Sequence, residues 1–454
     1  MPNLDIPRAA SREPLGAFFR RGWPLLGFGL VLAFFSSFGQ TFLVSLFVPG
    51  MQAEFDLSNA RFGALYSAAT LGSAFLMPWA GARLDRVRLP TFTLGLVVLM
   101  AAAAVGMGSA PILPVLVVAL VGIRLAGQGL ASHTAMTVMA RYHGERRGVA
   151  LSVAGLGYPL GEALLPLLVL SGIGAVGWRA GWFGVAGVAL LVFGPLLWIL
   201  LRLSGREMDP VRLAEASSEG VDGDPSAAAK NPAGGVGGRA GEGSAMAGGR
   251  AADGSGATAR DWNRSRVLRD VRFWCVLPAA LLPPFWATAL FLYQVAIGEA
   301  KGWSAALMAS AFTAFALTRI AVSLLVGAGV DRWMARRIVP FSLIPMGVGM
   351  GLLLAAEGEW GAFAFMAGMG MAVGMGATAK PALWAELYGV RHLGAIKAMV
   401  SSLMVVSTAG SPILAGWLLD RDGGLELLLQ LGMASVVVGT VLALRILPRR
   451  RGTP

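Results

Sequence analysis

The sequence predicts an all-α membrane protein: twelve transmembrane helices in two six-helix halves, with the N and C termini both cytoplasmic. Three observations predict it. The 454-residue chain is 56% hydrophobic and only 14% charged, which leaves too little polar surface to cover a globular domain in water. Twelve apolar runs come near the ~20 residues a helix needs to cross the hydrocarbon core while satisfying its own backbone amides. Lysines and arginines fall almost entirely in alternate connections, 19 on one side against four on the other, the four being Arg61, Arg179, Lys301 and Arg421. Basic loops stay in the cytoplasm, so the asymmetry sets the orientation, and an even number of spans returns the C terminus to the side of the N terminus. Much of the net charge of +12 is explained this way, and binding to nucleic acid, which needs a soluble basic face, is not expected.

Taken in order, residues 1–22 form a polar N-terminal tail with no apolar core, expected to be retained in the cytoplasm and not removed as a leader. The first half, 23–203, holds spans at 23–48, 60–80, 91–108, 112–139, 149–172 and 178–202. Gln40 lies in the first of these, and 91–108 is the briefest. Arg124 stands about 18 Å into the fourth span at 1.5 Å per residue, and Glu162 stands at similar depth in the fifth. Residues 204–270 turn rich in Gly, Ala and Ser, as in NPAGGVGGRAGEGSAMAGGRAADGSGATA. Such a composition cannot bury enough apolar surface to fold, so it reads as a flexible cytoplasmic linker. The second half, 271–446, holds spans at 271–297, 304–328, 338–355, 360–384, 394–418 and 424–446, followed by a basic cytoplasmic tail, 447–454. Arg319 falls slightly past the middle of its span, and Lys380 lies near the cytoplasmic end of 360–384.

The two halves echo each other. GARLDRVRLP at 81–90 and GAGVDRWMARR at 327–337 each place a glycine four residues before an Asp-Arg pair, Asp85–Arg86 and Asp331–Arg332, and 331 − 85 = 246. ARYHGERRGVA at 140–150 and AELYGVRHLGAI at 385–396 repeat at nearly the same offset, with Gly148 and Gly394 again 246 apart. Two independent echoes at one spacing argue for a duplicated unit. Many secondary transporters are built so, with the substrate site near the midplane where the halves meet.

On these residues the chain resembles the major facilitator superfamily across nearly all of its membrane portion. The glycine and Asp-Arg signature occurs in the turn after the second span and again after the eighth, RLAGQG at 124–129 is similar to the family's arginine motif, and GWRAGW at 177–182 to its entry to the sixth span. Two departures stand out: the first signature continues with Arg88, Leu89 and Pro90, and GLGYPLGE at 155–162 ends in Glu162 where the antiporter motif has small residues. The resemblance implies a pseudo-symmetric two-bundle fold that moves a small solute by alternating access. FALTRIAVSLLVGAGVDR is similar to the eighth span of the monocarboxylate and oxalate/formate branch, and this implies that Arg319 meets a substrate carboxylate, a task suited to the two-pronged guanidinium.

Charges in the wrong solvent are the candidate site. An ionised side chain near the bilayer centre costs several kcal/mol unless paired or hydrated. Arg124 and Glu162 sit on spans joined by a short turn and are expected to meet, either as a structural lock or as a proton site on Glu162 that Arg124 tunes. Arg319 has no acid in its own or the adjoining spans. Lys380 is expected to snorkel to the cytoplasmic surface or to bind ligand. Asp85, Arg86, Asp331 and Arg332 are expected either to hold the cytoplasmic side shut when the cavity opens outward, or to serve only as turn formers and topology signals. Gln40, His133, Tyr158, Tyr293 and Gln294 are weaker candidates for cavity lining.

No catalytic residue, metal ligand set or cofactor motif is expected. HExxH, GxSxG and GxxxxGK[ST] are absent, and the single GxGxxG, GIGAVG at 172–177, follows an apolar helix with no strand before it. The lone Cys275 allows no internal disulfide. Transport work must then come from a gradient. The expectation is a multi-pass protein of a bacterial-type inner membrane that carries a small solute, an organic anion such as a monocarboxylate coupled to protons. Proton-coupled export of a drug or metabolite is one alternative, and a transporter-shaped sensor or assembly partner is another.

Overall fold

The computed structural model describes residues 14–205, 262 and 264–447 except 145, 390 and 391, with all their side chains but those of residues 328 and 331. Every regular element among these residues is helical. Ten helical stretches are long and apolar enough to cross a membrane. One of them, Arg147–Leu203, runs 57 residues. Unbroken it would span about 85 Å, nearly three bilayer cores. It breaks instead at Gly177, where φ is 83° and ψ is 165°, a backbone that residues with a Cβ rarely adopt, and the expected spans 149–172 and 178–202 are the two sides of that break. The expected span 60–80 is the helix Asn59–Ala82, whose Arg61, Ser67, Thr70 and Ser73 make it more polar than the ten.

Several boundaries differ from expectation, among them the eighth span, which is the helix Ala305–Trp333 and runs through the Asp331–Arg332 pair read as a turn. The first helix begins at Leu15, inside the stretch read as tail, and breaks at Gln40, whose extended backbone separates Ser36–Gly39 from Thr41–Val44. A short helix, Arg264–Arg269, forms inside the region read as linker, while linker residues 206–261 lie outside the described residues. The seventh span is Val271–Leu292 followed by Gln294–Ala300. Propensity and hydropathy place apolar runs well, but they do not register a single extended residue inside one.

The exterior is as oily as the packed core, and the buried charges are the exception inside it. Phe75, Val118, Leu191, Leu324 and Leu325 are 69–78% exposed, whereas Arg124 and Glu162 are buried. A soluble protein does not present so much contiguous apolar surface, and lipid is the solvent that fits it.

The 246-residue repeat reaches the helix caps. Ser58 Oγ accepts from Arg61 N at 3.3 Å and Ser304 Oγ accepts from Leu307 N at 3.1 Å, and 304 − 58 = 246. Helices start at Leu89 and Ala335, and at Arg147 and Leu393, each pair again 246 apart (335 − 89 and 393 − 147). Between the halves of the chain, Asn59–Ala82 packs along Leu393–Leu419, and Ala305–Trp333 packs along Gly157–Val188. The offset turns one of these seams into the other. One end of the bundle carries Arg61, Arg179, Lys301 and Arg421 and is poor in cations; the opposite end carries the Asp85 corner, Arg336 and Lys397 and is basic.

At the cation-poor end Arg179 pins three connections. Its guanidinium pairs with Glu54 and donates to the carbonyls of Gly108 and Ala110, both at 2.8 Å. Hydrogen bonding from Arg179 holds the Glu54 carboxyl below its ordinary range. A depressed carboxyl contributes stability that is present above its unfolded pKa and lost as pH falls through the folded one. Glu54 is 41% exposed, so screening limits the pair to about 1 kcal/mol. Thermal melts in detergent between about pH 6 and about pH 3 are expected to show a small acid-side loss that Glu54→Gln removes; an unchanged acid profile in the variant would contradict this.

Candidate functional site

Between the two halves lies a cavity of about 590 Å³, with Gln40, Gln128, Glu162, Arg319, Lys380 and Lys397 among its lining. It reaches the basic end, where Lys397 and Ser401 stand near the start of Leu393–Leu419. At the other end the halves touch. The Asp420 carboxylate accepts from Asn59 N at 3.0 Å and Ala60 N at 2.8 Å, capping from across the seam a helix whose first amides have no internal partner. The Tyr293 hydroxyl lies 2.8 Å from the Asn59 carbonyl and 3.1 Å from that of Pro412. Gln294 Nε2 donates to Phe42 O at 2.9 Å and Ser45 Oγ at 2.6 Å. Glycine makes the seam close enough: a Cβ on Gly63 would sit 2.3 Å from Pro412 O, and one on Gly416 2.3 Å from Asn59 O.

Removing the Asp420 carboxylate withdraws a cap of about 0.5–2 kcal/mol from this closure. Asp420→Ala is therefore expected to raise the reactivity of a cysteine placed at Thr41 toward a thiol reagent added at the cation-poor end, about fivefold for 1 kcal/mol. Unchanged reactivity would mean that the cap does not hold the seam. Cys275 is buried and is replaced in the same background.

The buried charges pair differently from the sequence expectation. Glu162 does not meet Arg124. Its Oε1 pairs with Arg319 Nη1, joining Gly157–Val188 to Ala305–Trp333 across the two halves. Arg319 thus does have an acid, on a helix far away in sequence and adjacent in space. Glu162 Oε2 is buried with no partner among the described residues, one acceptor left open. Arg124 instead lies in a network of its own half: it donates to the Tyr66 hydroxyl and, at 2.5 Å, to Gln128 Oε1, and its guanidinium carbon stands 4.3 Å over the Tyr66 ring. The Tyr66 hydroxyl donates in turn to Thr41 Oγ1 at 2.8 Å. Gln128 is four residues from Arg124, the spacing that puts two side chains on one helix face, and that spacing was the available clue. Tyr66 and Thr41 had none.

Lys380 faces the cavity and does not snorkel; its Nζ lies 3.5 Å from the Ala280 carbonyl. Of the weaker candidates, Gln40 lines the cavity, Tyr293 and Gln294 hold the closed end, and His133 sits 3.5 Å from Thr137 Oγ1. At the basic end Asp85 pairs with Arg141 inside its own half, both side chains well exposed. Arg86 is exposed, and the Arg332 guanidinium lies 5.9 Å from the Trp333 ring centroid. Asp331 falls in the helix Ala305–Trp333, its side chain outside the described ones. No group of His, Cys, Asp and Glu with metal-binding potential occurs among the described residues.

Two duplicated sets of helices, apolar outside and enclosing a charged cavity, define a multi-pass membrane protein of the transporter class. The model of the Major Facilitator Superfamily matches residues 30–295 and 283–454, and the chain belongs to that family. Solved structures of similar fold include a bacterial homologue of the human lysosomal transporter Spinster, in inward-facing unoccupied and occupied conformations. It is 16% identical with a TM-score of 0.59, covering 94% of this chain and 95% of that one. A mutant of the nucleoside transporter NupG is 10% identical with a TM-score of 0.61, covering 93% and 100%. No curated protein matches the sequence.

Proposed function

We propose that the protein is a secondary transporter that carries a small organic anion by alternating access, coupled to protons. The observation that carries this reading is the Glu162–Arg319 pair, which bridges the halves inside the cavity. Glu162 is the proton site in this reading, and Arg319 is the partner that its protonation releases. With Lys380 and Lys397 on the wall and Glu162 its single carboxylate among the described residues, the cavity carries excess positive charge and attracts anions.

The chain crosses the bilayer twelve times in this reading, with both termini and the basic end in the cytoplasm of a bacterial-type inner membrane. The described conformation then opens inward. The Asp85 and Asp331 corners would meet partners across the seam when that side shuts. Asp85→Asn is expected to slow transport while leaving insertion intact.

Uptake of radiolabelled carboxylates into proteoliposomes under an imposed pH gradient tests the reading. One proton per anion supports about tenfold accumulation per pH unit. Carboxylate uptake that Arg319→Ala abolishes is the expected result. Efflux of cationic dyes in its place, or binding without flux, would overturn it in favour of a drug exporter or a sensor.

A further inference from the structure

Resting on that reading, we infer that the anion anchor is Lys380, not Arg319, and that the substrate is an amphipathic organic acid with an aromatic or branched body. Arg319 is already engaged by Glu162. Lys380 is the cavity cation inside the mouth with no carboxylate beside it among the described residues, and its one close oxygen is a backbone carbonyl.

That carbonyl is there for a reason. Val271–Leu292 contains Pro278, Pro283 and Pro284. Pro284 has no N–H, so the helix bond that residue 284 would make to Ala280 O cannot form, and the oxygen is left for another donor. The Lys380 ammonium approaches it at 3.5 Å, too long to satisfy the charge. The same ammonium folds back over its own helix at Gly376, where a Cβ would lie 2.8 Å from Nζ and 2.6 Å from Cε. The wall is therefore cut to seat a cation and leave two of its three donors open.

The same cavity wall carries apolar and aromatic side chains. Trp384, one helical turn from Lys380, joins Phe291, Phe315 and Met404. A volume of about 590 Å³ exceeds what a two- or three-carbon acid fills and falls in the range that encloses drug-sized ligands. An ammonium with no carboxylate beside it among the described residues, on a wall that also carries aromatic and apolar groups, selects a carboxylate with a hydrophobic body.

Binding of 4-phenylbutyrate, acetate and the neutral 4-phenylbutyramide to the purified full-length chain, measured by calorimetry, tests this. 4-Phenylbutyrate is expected to bind about tenfold or more tightly than either competitor, since a charge-assisted hydrogen bond separates acid from amide. Lys380→Gln is expected to erase the preference for acid over amide, and Lys380→Arg to retain it. Gly376→Ala, which displaces the ammonium without removing it, is expected to weaken the acid and spare the amide. Equal binding of acid and amide by the unaltered protein, wild-type discrimination in Lys380→Gln, or no binding of 4-phenylbutyrate would each overturn the inference. Proton-driven flux of a smaller carboxylate, lost in Arg319→Ala, alongside any of those outcomes would leave the transport reading standing. Lys380-dependent binding with no flux of any carboxylate would overturn transport and leave the site.

Discussion

Glu162→Gln is expected to abolish pH-driven accumulation of substrate while leaving exchange of substrate across the membrane measurable. The amide keeps the size of the side chain and removes its proton chemistry, so loading and unloading no longer depend on pH. It also leaves Arg319 without its anion. Breaking a buried ion pair by removing one partner costs about 3–5 kcal/mol, and the part-exposed Arg319 side chain points to the lower end. A loss of transport through misfolding must be separated from a loss of coupling. Glu162→Gln combined with Arg319→Gln places two neutral amides across the same seam. The double variant is expected to regain melting temperature and remain insensitive to the pH gradient. Recovery of pH-driven accumulation in it would show that the pair is a structural lock only.

Gly63→Val is expected to hold the protein with its cation-poor end open. The backbones of Asn59–Ala82 and Leu393–Leu419 meet at this point, and a Cβ would lie 2.3 Å from Pro412 O and 2.5 Å from the Tyr293 hydroxyl. No rotamer relieves a clash between a Cβ and a neighbouring main chain, so the helices must part. Overpacking costs of about 1–3 kcal/mol shift a two-state equilibrium by about five- to 150-fold. Substrate flux is expected to fall by at least the lower figure, with a cysteine at Thr41 becoming reactive from the cation-poor end and the fold intact. Gly416→Ala, whose Cβ meets Asn59 O, is expected to act in the same direction. Wild-type flux in both variants would mean that the seam yields without opening.

The apolar runs, the duplication and the buried charges were all legible in the sequence, because each is a property of short segments or of a fixed spacing. Arg124, Glu162, Arg319 and Lys380 could be picked out by counting residues into a helix, which gives depth. Partners on other helices could not, because such a partner depends on which way a helix face points and which helix lies opposite. Glu162 and Arg319 are 157 residues apart and meet only through the packing of Gly157–Val188 on Ala305–Trp333. Lys380 looked like a snorkelling residue for the same reason: depth placed it near the basic end, and only packing aims it into the cavity. Asp420 lay in an unremarkable turn, and its role as a cap appears only when Asn59 is brought across the seam. In the N-terminal half, Arg124 took Tyr66 and Gln128 as neighbours because its face turns inward within that half.

Alternating access requires two halves that rock about the cavity, so that one end closes as the other opens. Distances between spin labels at Asp56 and Asp422, on the cation-poor end, and at Arg88 and Arg337, on the basic end, measure this directly in Cys275→Ala protein reconstituted in lipid. All four sites are exposed. On moving from neutral to acid pH with substrate present, the Asp56–Asp422 distance is expected to lengthen as the Arg88–Arg337 distance shortens. Two distances that stay fixed, or that lengthen and shorten together, would contradict alternating access in this protein.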